Sequence, residues 1–366
     1  MSAEPLVYTD LEPRRRPVAI PSPVTVEILH DHREAEWDRY VRGAPGATFF
    51  HQLHWRWLVE RTFGHRAHYL TALRDGHIAG VLPLFELKSL LFGHSLVSIP
   101  FAIGGGLVAD DEPAERALLA AAKDLARELR VDYLELRSEV PLDDPELLTK
   151  NLYVTFRADL TQGEDALLQR MERKRRQMMN YVAKAPFEHR IAGLEELPLF
   201  YRMFCESMRH HGTPVYPKLF LREILDRHPA HSNLFFVHHA GKPVAAVLNL
   251  LFRDVVMPFY AGADRAEKPR GVDEYLYLSI LRWGRENGFR AFDFGRSKRE
   301  TGAYKFKARW GMDEVPLGYQ YYLVKARGLP NVSPANPKYQ RAIRVWQRLP
   351  LPVTRLLGPS IVKRVP

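Results

Sequence analysis

An ordered series of elements occurs twice along this chain, and such a repeat restricts the possible folds more than composition does. Residues 68–74 read as a strand, Asp75-Gly76 as a turn and residues 78–87 as a second strand, with further apolar strands through Ile103. Residues 112–130 follow as a helix with Leu118, Ala121, Ala122, Leu125 and Leu129 on one face, and residues 133–137 alternate as a strand. The order returns as strand 234–239, a turn at Ala240-Gly241-Lys242, strands 244–252 and 255–260, helix 272–287 and strand 291–294. Gly76 and Gly241 are 165 residues apart and Tyr133 and Ala291 are 158 apart, a difference of seven that loops absorb. The series predicts a duplicated α/β unit; two unrelated α/β halves are the other arrangement it allows.

Length and composition fit that reading. The 366 residues, 46% hydrophobic and 26% charged, suffice for two globular domains and exclude a disordered chain. Cys205 is the only cysteine, which excludes an internal disulfide or a thiolate metal cluster. Residues 1–23 are proline-rich and aperiodic, reading as a disordered leader without a signal-peptide core, so the chain is expected to be cytoplasmic. The longest apolar stretch, 90–109, contains His94, Pro100 and Gly104-Gly105-Gly106 and does not read as a membrane span.

Charge is unevenly placed. The formal net charge is +10, yet the last acidic residue is Glu314, and the 52 residues after it carry nine Lys or Arg. Within this tail, residues 338–348 form a possible helix with Ile343 and Trp346 on one side and Arg341, Arg344 and Arg348 on the other. After Pro350 and Pro352 a second apolar and basic piece follows, with Leu356, Leu357, Ile361 and Val362 beside Arg355, Lys363 and Arg364. Two weak anchors at an anionic membrane surface, a tail draped over its own domains, and tRNA binding are the readings this pattern allows. A second basic run, Arg173-Lys174-Arg175-Arg176, lies in a helix expected over 163–184 that stops at Pro186. Met171, Met178, Met179 and Tyr181 would anchor its other face, leaving the run as a solvated surface or a contact for an anionic ligand.

Several chemistries lack their residues. Fifteen histidines occur without an H-E-x-x-H spacing, and His210-His211 and His238-His239 are adjacent, so the two side chains do not share a helix or strand face. The G-x-S-x-G elbow, the phosphate loop and the dinucleotide G-x-G-x-x-G are absent. No metal and no cofactor are expected.

The segment from Gly271 to Gly311 carries a compound pattern: a helix, a strand ending in Asp293-Phe294-Gly295, a polar loop, Gly302-x-Tyr304-x-Phe306-Lys307, and then Trp310-Gly311. This pattern resembles the FemAB family, and Phe49-Phe50-His51-Gln52-Leu53-His54-Trp55 looks like that family's amino-terminal aromatic segment. The resemblance spans roughly residues 24–324. It implies an α/β (α+β) fold of tandem GNAT-like domains with a cleft between them, here a leader (1–23), domains 24–160 and 161–324, and a basic tail (325–366). It also implies acyl transfer to an amine. Classical members move an aminoacyl group from aminoacyl-tRNA to an amine of a peptidoglycan precursor, and this chain looks more like the branch associated with exosortase and exopolysaccharide systems. The implied partners are an aminoacyl-tRNA or acyl-thioester donor and an envelope or exopolysaccharide precursor; peripheral contact at the inner face of the membrane is expected from the basic tail. The alternatives are an N-acyltransferase of the GNAT type using acyl-CoA or an acyl carrier protein, and a non-catalytic scaffold of an envelope-polymer machine.

Such a transfer needs a neutral amine, an activated carbonyl and positive charge where the oxyanion develops. Lys307 is the candidate oxyanion stabiliser, with a surface lysine beside the core residue Phe306 as the bland alternative. Asp293 at a strand's end would orient or deprotonate the amine, or cap its loop; Tyr304 would hydrogen-bond the intermediate, or only pack. Arg296, Lys298 and Arg299 would hold substrate phosphate or carboxylate groups, or line a solvated loop. Phe306, His51 and Trp55 complete the substrate-binding set that the resemblance implies. Gly104-Gly105-Gly106 and Arg270-Gly271 sit where a GNAT domain places its pyrophosphate-binding turn, but neither matches R/Q-x-x-G-x-G/A, which disfavours coenzyme A.

Overall fold

In a computed structural model the described residues are 22–89, 92–227, 229–264, 268–330 and 337–364. The expected leader lies outside them up to residue 21.

The first part of the chain forms β1 (Thr25–Ile28), α1 (Glu34–Gly43), α2 (Leu53–Phe63), β2 (Arg66–Arg74), β3 (His77–Ser89), β4 (Gly93–Val97), β5 (Val108–Ala109), α3 (Glu112–Glu128), β6 (Tyr133–Arg137) and β7 (Leu148–Asp159). After α4 (Glu164–Arg170) and α5 (Arg173–Val182) the series restarts. It runs β8 (Phe187–Ala192), α6 (Leu197–His211), α7 (Lys218–Arg227), β9 (Ser232–His239), β10 (Lys242–Phe252), β11 (Val255–Ala263), α8 (Val272–Glu286), β12 (Ala291–Asp293), β13 (Ser297–Lys298), α9 (Gly302–Ala308) and β14 (Asp313–Leu323). Two helices follow, α10 (Pro337–Arg348) and α11 (Leu351–Val362).

The strands join in one sheet ordered β1-β2-β3-β4-β6-β14-β7-β12-β11-β10-β9-β8. Read from its two ends, this order is the same series twice. Each outer meander is antiparallel, β4 pairs parallel with β6, and β11 pairs parallel with β12. The hairpins match as well: Asp75 and Gly76 both have positive φ, as do Ala240 and Gly241, which suits the right-handed twist of two-residue hairpins. The duplication is therefore visible in topology.

At the centre the halves exchange strands. β7 pairs with β12 of the second half (Phe292 opposite Ala158), β14 pairs with β6 of the first (Tyr321 opposite Glu135), and the two exchanged strands pair with each other. Pairing thus runs unbroken from one half to the other. On one face α1, α2, α6 and α7 share a single core in which Trp55 meets Phe220 edge-on, with centroids 5.7 Å apart. On the other face α3 covers the first meander and α8 the second, each with its own cluster.

Three expectations are corrected. The helix expected over 163–184 breaks at Met171, whose extended backbone (ψ 149°) buries its side chain. Gly311 packs into that break so closely that a Cβ there would stand 2.7 Å from the Arg170 carbonyl carbon. Of the expected anchors, Met171 and Met179 are buried, whereas Tyr181 is exposed. The strands expected through Ile103 stop at Val97. Beyond it Ile99 and Phe101 hold positive φ (47° and 64°), a costly conformation for a β-branched residue, in a loop that lines the site below.

The tail is docked on one side and bare on the other. Ile343 packs against Gly212, Gly358 against Val215, and Trp346, Thr354 and Val362 are buried. Val345, Leu356, Leu357 and Ile361 face solvent, Leu356 with 78% of its surface exposed. No helix among the described residues is long and apolar enough to cross a membrane.

Candidate active site

The halves meet over a cavity of about 360 Å³. Its walls come from the strained loop after β4 (Phe101, Ala102, Ile103), the end of β6 (Arg137), the turn between α6 and α7 (Thr213, Tyr216), β11 (Pro258 to Ala261), the loop after β12 (Gly295, Arg296) and α9 (Lys307). Val362 of α11 closes one side, so the tail contributes a wall.

Lys307 is delivered by α9, a short helix whose start is fixed by the Thr301 side chain accepting from the Tyr304 amide. Its ammonium donates to the Phe294 carbonyl at 2.6 Å and the Gly295 carbonyl at 2.9 Å, and it stands 5.5 Å from the centroid of the Phe294 ring. An ammonium has three donors, so one remains for the cavity. Burial pushes the Lys307 pKa down to about 8, with Asp293 opposing and Arg296 reinforcing the shift.

Arg296 lies over Tyr153 and Tyr319, 4.9 and 5.9 Å from their centroids. Arg137 is buried; its Nε donates to Glu135 at 2.8 Å and its Nη1 to the carbonyls of Ile99 and Ala102, holding the positive-φ loop in place. Three cations thus converge on one cavity, with carboxylates set behind its wall.

Asp293 is one of those carboxylates. It accepts from the Thr155 hydroxyl, from Arg157 Nε at 2.7 Å and from the Gly295 amide at 2.7 Å, and it lines the adjoining spaces rather than the main cavity. Its visible work is to fix the loop carrying Gly295 and Arg296.

The other sequence-derived site residues lie elsewhere. The Tyr304 hydroxyl donates to Glu314 at 2.7 Å, Arg299 pairs with the same carboxylate, and Lys298 sits in β13 beside β7; none of the three lines the cavity. Phe306 packs in the second-half core under the Arg175 guanidinium, 4.9 Å from its centroid, while Arg175 pairs with Glu274. The basic run is therefore divided, with Arg175 structural and buried. Trp55 is fully buried and donates to the Pro100 carbonyl at 3.2 Å. His51 accepts the Thr48 amide at Nδ1, so its Nε2 donates to the Gly106 carbonyl at 2.9 Å. Burial pushes its pKa down to about 4, leaving it neutral at physiological pH. His51 and Trp55 thus hold the loops 98–106 from behind. With Tyr304 bonded only at the surface, Tyr304→Phe is expected to leave kcat within about twofold, since it removes one exposed hydrogen bond; steady-state kinetics check this.

Neither expected pyrophosphate turn offers an unopposed helix start to an anion. Gly104 to Gly106 precede β5 rather than α3, and the start of α3 is filled by the Asp111 carboxylate, which accepts from the Ala114 amide and pairs with Arg74 at 2.6 Å. The start of α8 carries Asp273 and Glu274, and Gly271 lies against Val182 of α5.

Sequence reasoning missed Arg137, Tyr216 and Tyr260. For Arg137 the signal was present: Glu135 and Arg137, two apart in an otherwise apolar strand, belong to one face and pair there.

Residues 167–308 match the family profile described as acetyltransferase (GNAT) domain. That span runs from α4 through Lys307 and contains Asp293 and Arg296. Among solved structures, FemX is similar at 15% identity and TM-score 0.65, over 87% of this chain and all of that one. L-PGS from Bacillus licheniformis is similar at 15% identity and TM-score 0.56, over 91% and 98%. A tandem GNAT protein from the clavulanic acid biosynthesis pathway is similar at 12% identity and TM-score 0.50, over 84% and 100%. Curated protein sequences give no match. The fold is that of tandem GNAT proteins, as the resemblance to the FemAB family implied, and the second half carries an acetyltransferase-type domain.

Proposed function

We propose that this protein transfers an acyl or aminoacyl group to an amine of a cell-envelope or exopolysaccharide precursor, in the cavity between its halves, residues 24–160 and 161–324. The observation that carries the reading is the Lys307 ammonium, held by two carbonyls with one donor left over, beside Arg137 and Arg296 in a cleft with aromatic walls. The amine nitrogen attacks the carbonyl carbon of an ester or thioester, and the C–N bond forms while the carbonyl oxygen takes the negative charge. Lys307 and Arg296 stabilise that charge in a poorly hydrated site, where such contacts count most. Collapse breaks the C–O or C–S bond, and the proton lost by the amine leaves with the alkoxide or thiolate. The cationic walls also disfavour a protonated acceptor, which supplies the neutral nucleophile. Asp293 acts as a positioning residue through Gly295 and Arg296.

The donor is an aminoacyl-tRNA or an acyl thioester; the Asp111 cap on α3 and the acidic first turn of α8 count against a bound pyrophosphate of coenzyme A in its usual place. The test is amide formation followed by mass spectrometry, with aminoacyl-tRNA, acyl carrier protein and acyl-CoA donors offered in turn to envelope-precursor amines. One donor class is expected to give a product that requires Lys307. Absence of product with every class favours the scaffold reading.

The bare outer face of the tail, with Leu356 and Leu357 beside Arg355 and Arg364, supports peripheral contact with anionic membrane. Because Val362 walls the cavity, truncating the tail would disturb the site; point changes are cleaner. Leu356→Asp with Leu357→Asp is expected to weaken binding to phosphatidylglycerol vesicles about tenfold at low salt. Unchanged sedimentation with vesicles would remove the membrane contact.

A further inference from the structure

A second chamber, of about 500 Å³, opens on the other side of the cleft and is mostly apolar. Leu107, Leu142, Leu250, Phe252, Val255 and Met257 supply its apolar walls, Glu115, Glu139, Arg157 and Asp293 line the remainder, and Val140 has 75% of its surface exposed. The chamber and the active-site cavity have no lining residue in common, but each shares residues with a third, smaller space. A narrow neck of about 50 Å³ shares Ile103 and Arg137 with the cationic cavity and shares Leu107, Ser138, Met257 and Asp293 with the apolar one. Near the neck the Ser138 hydroxyl is buried with no hydrogen-bond partner. A substrate threading the neck would therefore place an apolar portion in one chamber and a polar, reacting end at Arg137 and Lys307 in the other.

We propose that the apolar chamber binds the hydrocarbon chain of the acyl donor, so that the group transferred is a medium or long acyl chain. The proposal rests on the transferase reading of the cationic cavity and deepens it. An acyl group fits the arrangement because its polar and apolar parts are joined at the reacting carbon: the carbonyl belongs beside the cations, and every atom beyond it is apolar. The apolar lining gains little from a short or charged acyl group.

The experiment is calorimetric titration of the full chain with acetate, hexanoate, octanoate and dodecanoate. Affinity is expected to rise about fourfold per added methylene until the chamber is filled. Met257→Trp, which fills the chamber, and Val140→Asp, which charges its exposed rim, are each expected to weaken dodecanoate binding at least tenfold, whereas Leu356→Asp on the outer face of the tail leaves it unchanged. Affinity independent of chain length overturns the proposal. So does loss of binding in Leu356→Asp with retention in both chamber variants, because the chain would then lie on the tail. Failure of the transferase reading looks different: dodecanoate still binds, with the same dependence on Met257, while no amide forms with any donor.

Discussion

Lys307→Ala is expected to lower kcat about a hundredfold to a thousandfold, the usual effect of losing one oxyanion donor. The fold should survive. Burial already disfavours the charged form, since the Lys307 pKa is pushed down to about 8, so the side chain is not a strong source of stability. What its loss removes is the donor to the Phe294 and Gly295 carbonyls, a cost below about 2 kcal/mol because water can enter from the cavity. The same pKa fixes a sign. The ammonium is present below pH about 8 and disappears above it, so kcat at saturating acceptor should descend through that pH. Lys307→Arg, which stays charged, should lose the descending limb even if its absolute rate is lower. A rate that instead rises through pH about 8 in the native protein and not in Lys307→Arg would assign the neutral amine as a base and remove the oxyanion role.

The second large effect is on stability. Asp293→Ala is expected to cost about 3 kcal/mol, because a buried carboxylate that satisfies a hydroxyl, a guanidinium and a backbone amide is removed at once. Arg157 keeps Glu139 as a partner, at 2.6 Å, which limits the loss. The Thr155 hydroxyl and the Gly295 amide have no such replacement among the bonds they make here. Urea unfolding gives the number. The loop carrying Arg296 and the carbonyls that hold Lys307 should loosen with it, so kcat also falls. Asp293→Asn keeps the shape without the charge and is expected to recover part of both. A stability within about 0.5 kcal/mol of the native value would show that Asp293 does not anchor the loop.

Both effects depend on features that were unevenly legible in the sequence. The two hairpins announced themselves through Asp75-Gly76 and Ala240-Gly241, because few residues other than glycine tolerate the positive φ such turns demand. The exchange of β7 and β14 was not legible: a strand's own side-chain pattern does not name the half it joins, and pairing partners are set by tertiary contacts. Lys307 is legible through the Gly302-x-Tyr304-x-Phe306-Lys307 pattern that resembles the FemAB family, and Arg296 because it follows the Asp293-Phe294-Gly295 turn in the chain. Arg137 was missed because it comes from the other half, 170 residues away from Lys307, and reads as the polar end of an ordinary strand. His51 and Trp55 were expected in the site because their segment resembles the amino-terminal aromatic segment of the FemAB family. The structure uses the same hydrogen-bonding atoms to hold Gly106 and Pro100 behind the cavity.

In the proposed reaction the cavity between the halves holds an activated acyl donor and Lys307 acts on its carbonyl. Native mass spectrometry of the freshly purified Lys307→Ala protein tests this most directly, because a variant that binds the donor but transfers slowly should retain it. The predicted result is a bound mass that releases an acyl or aminoacyl ester or thioester on mild alkaline treatment and is absent from a protein whose Arg137 and Arg296 are also replaced. A Lys307→Ala protein that carries no such ligand, and that forms amide product as fast as the native protein when supplied with its donor, would contradict it.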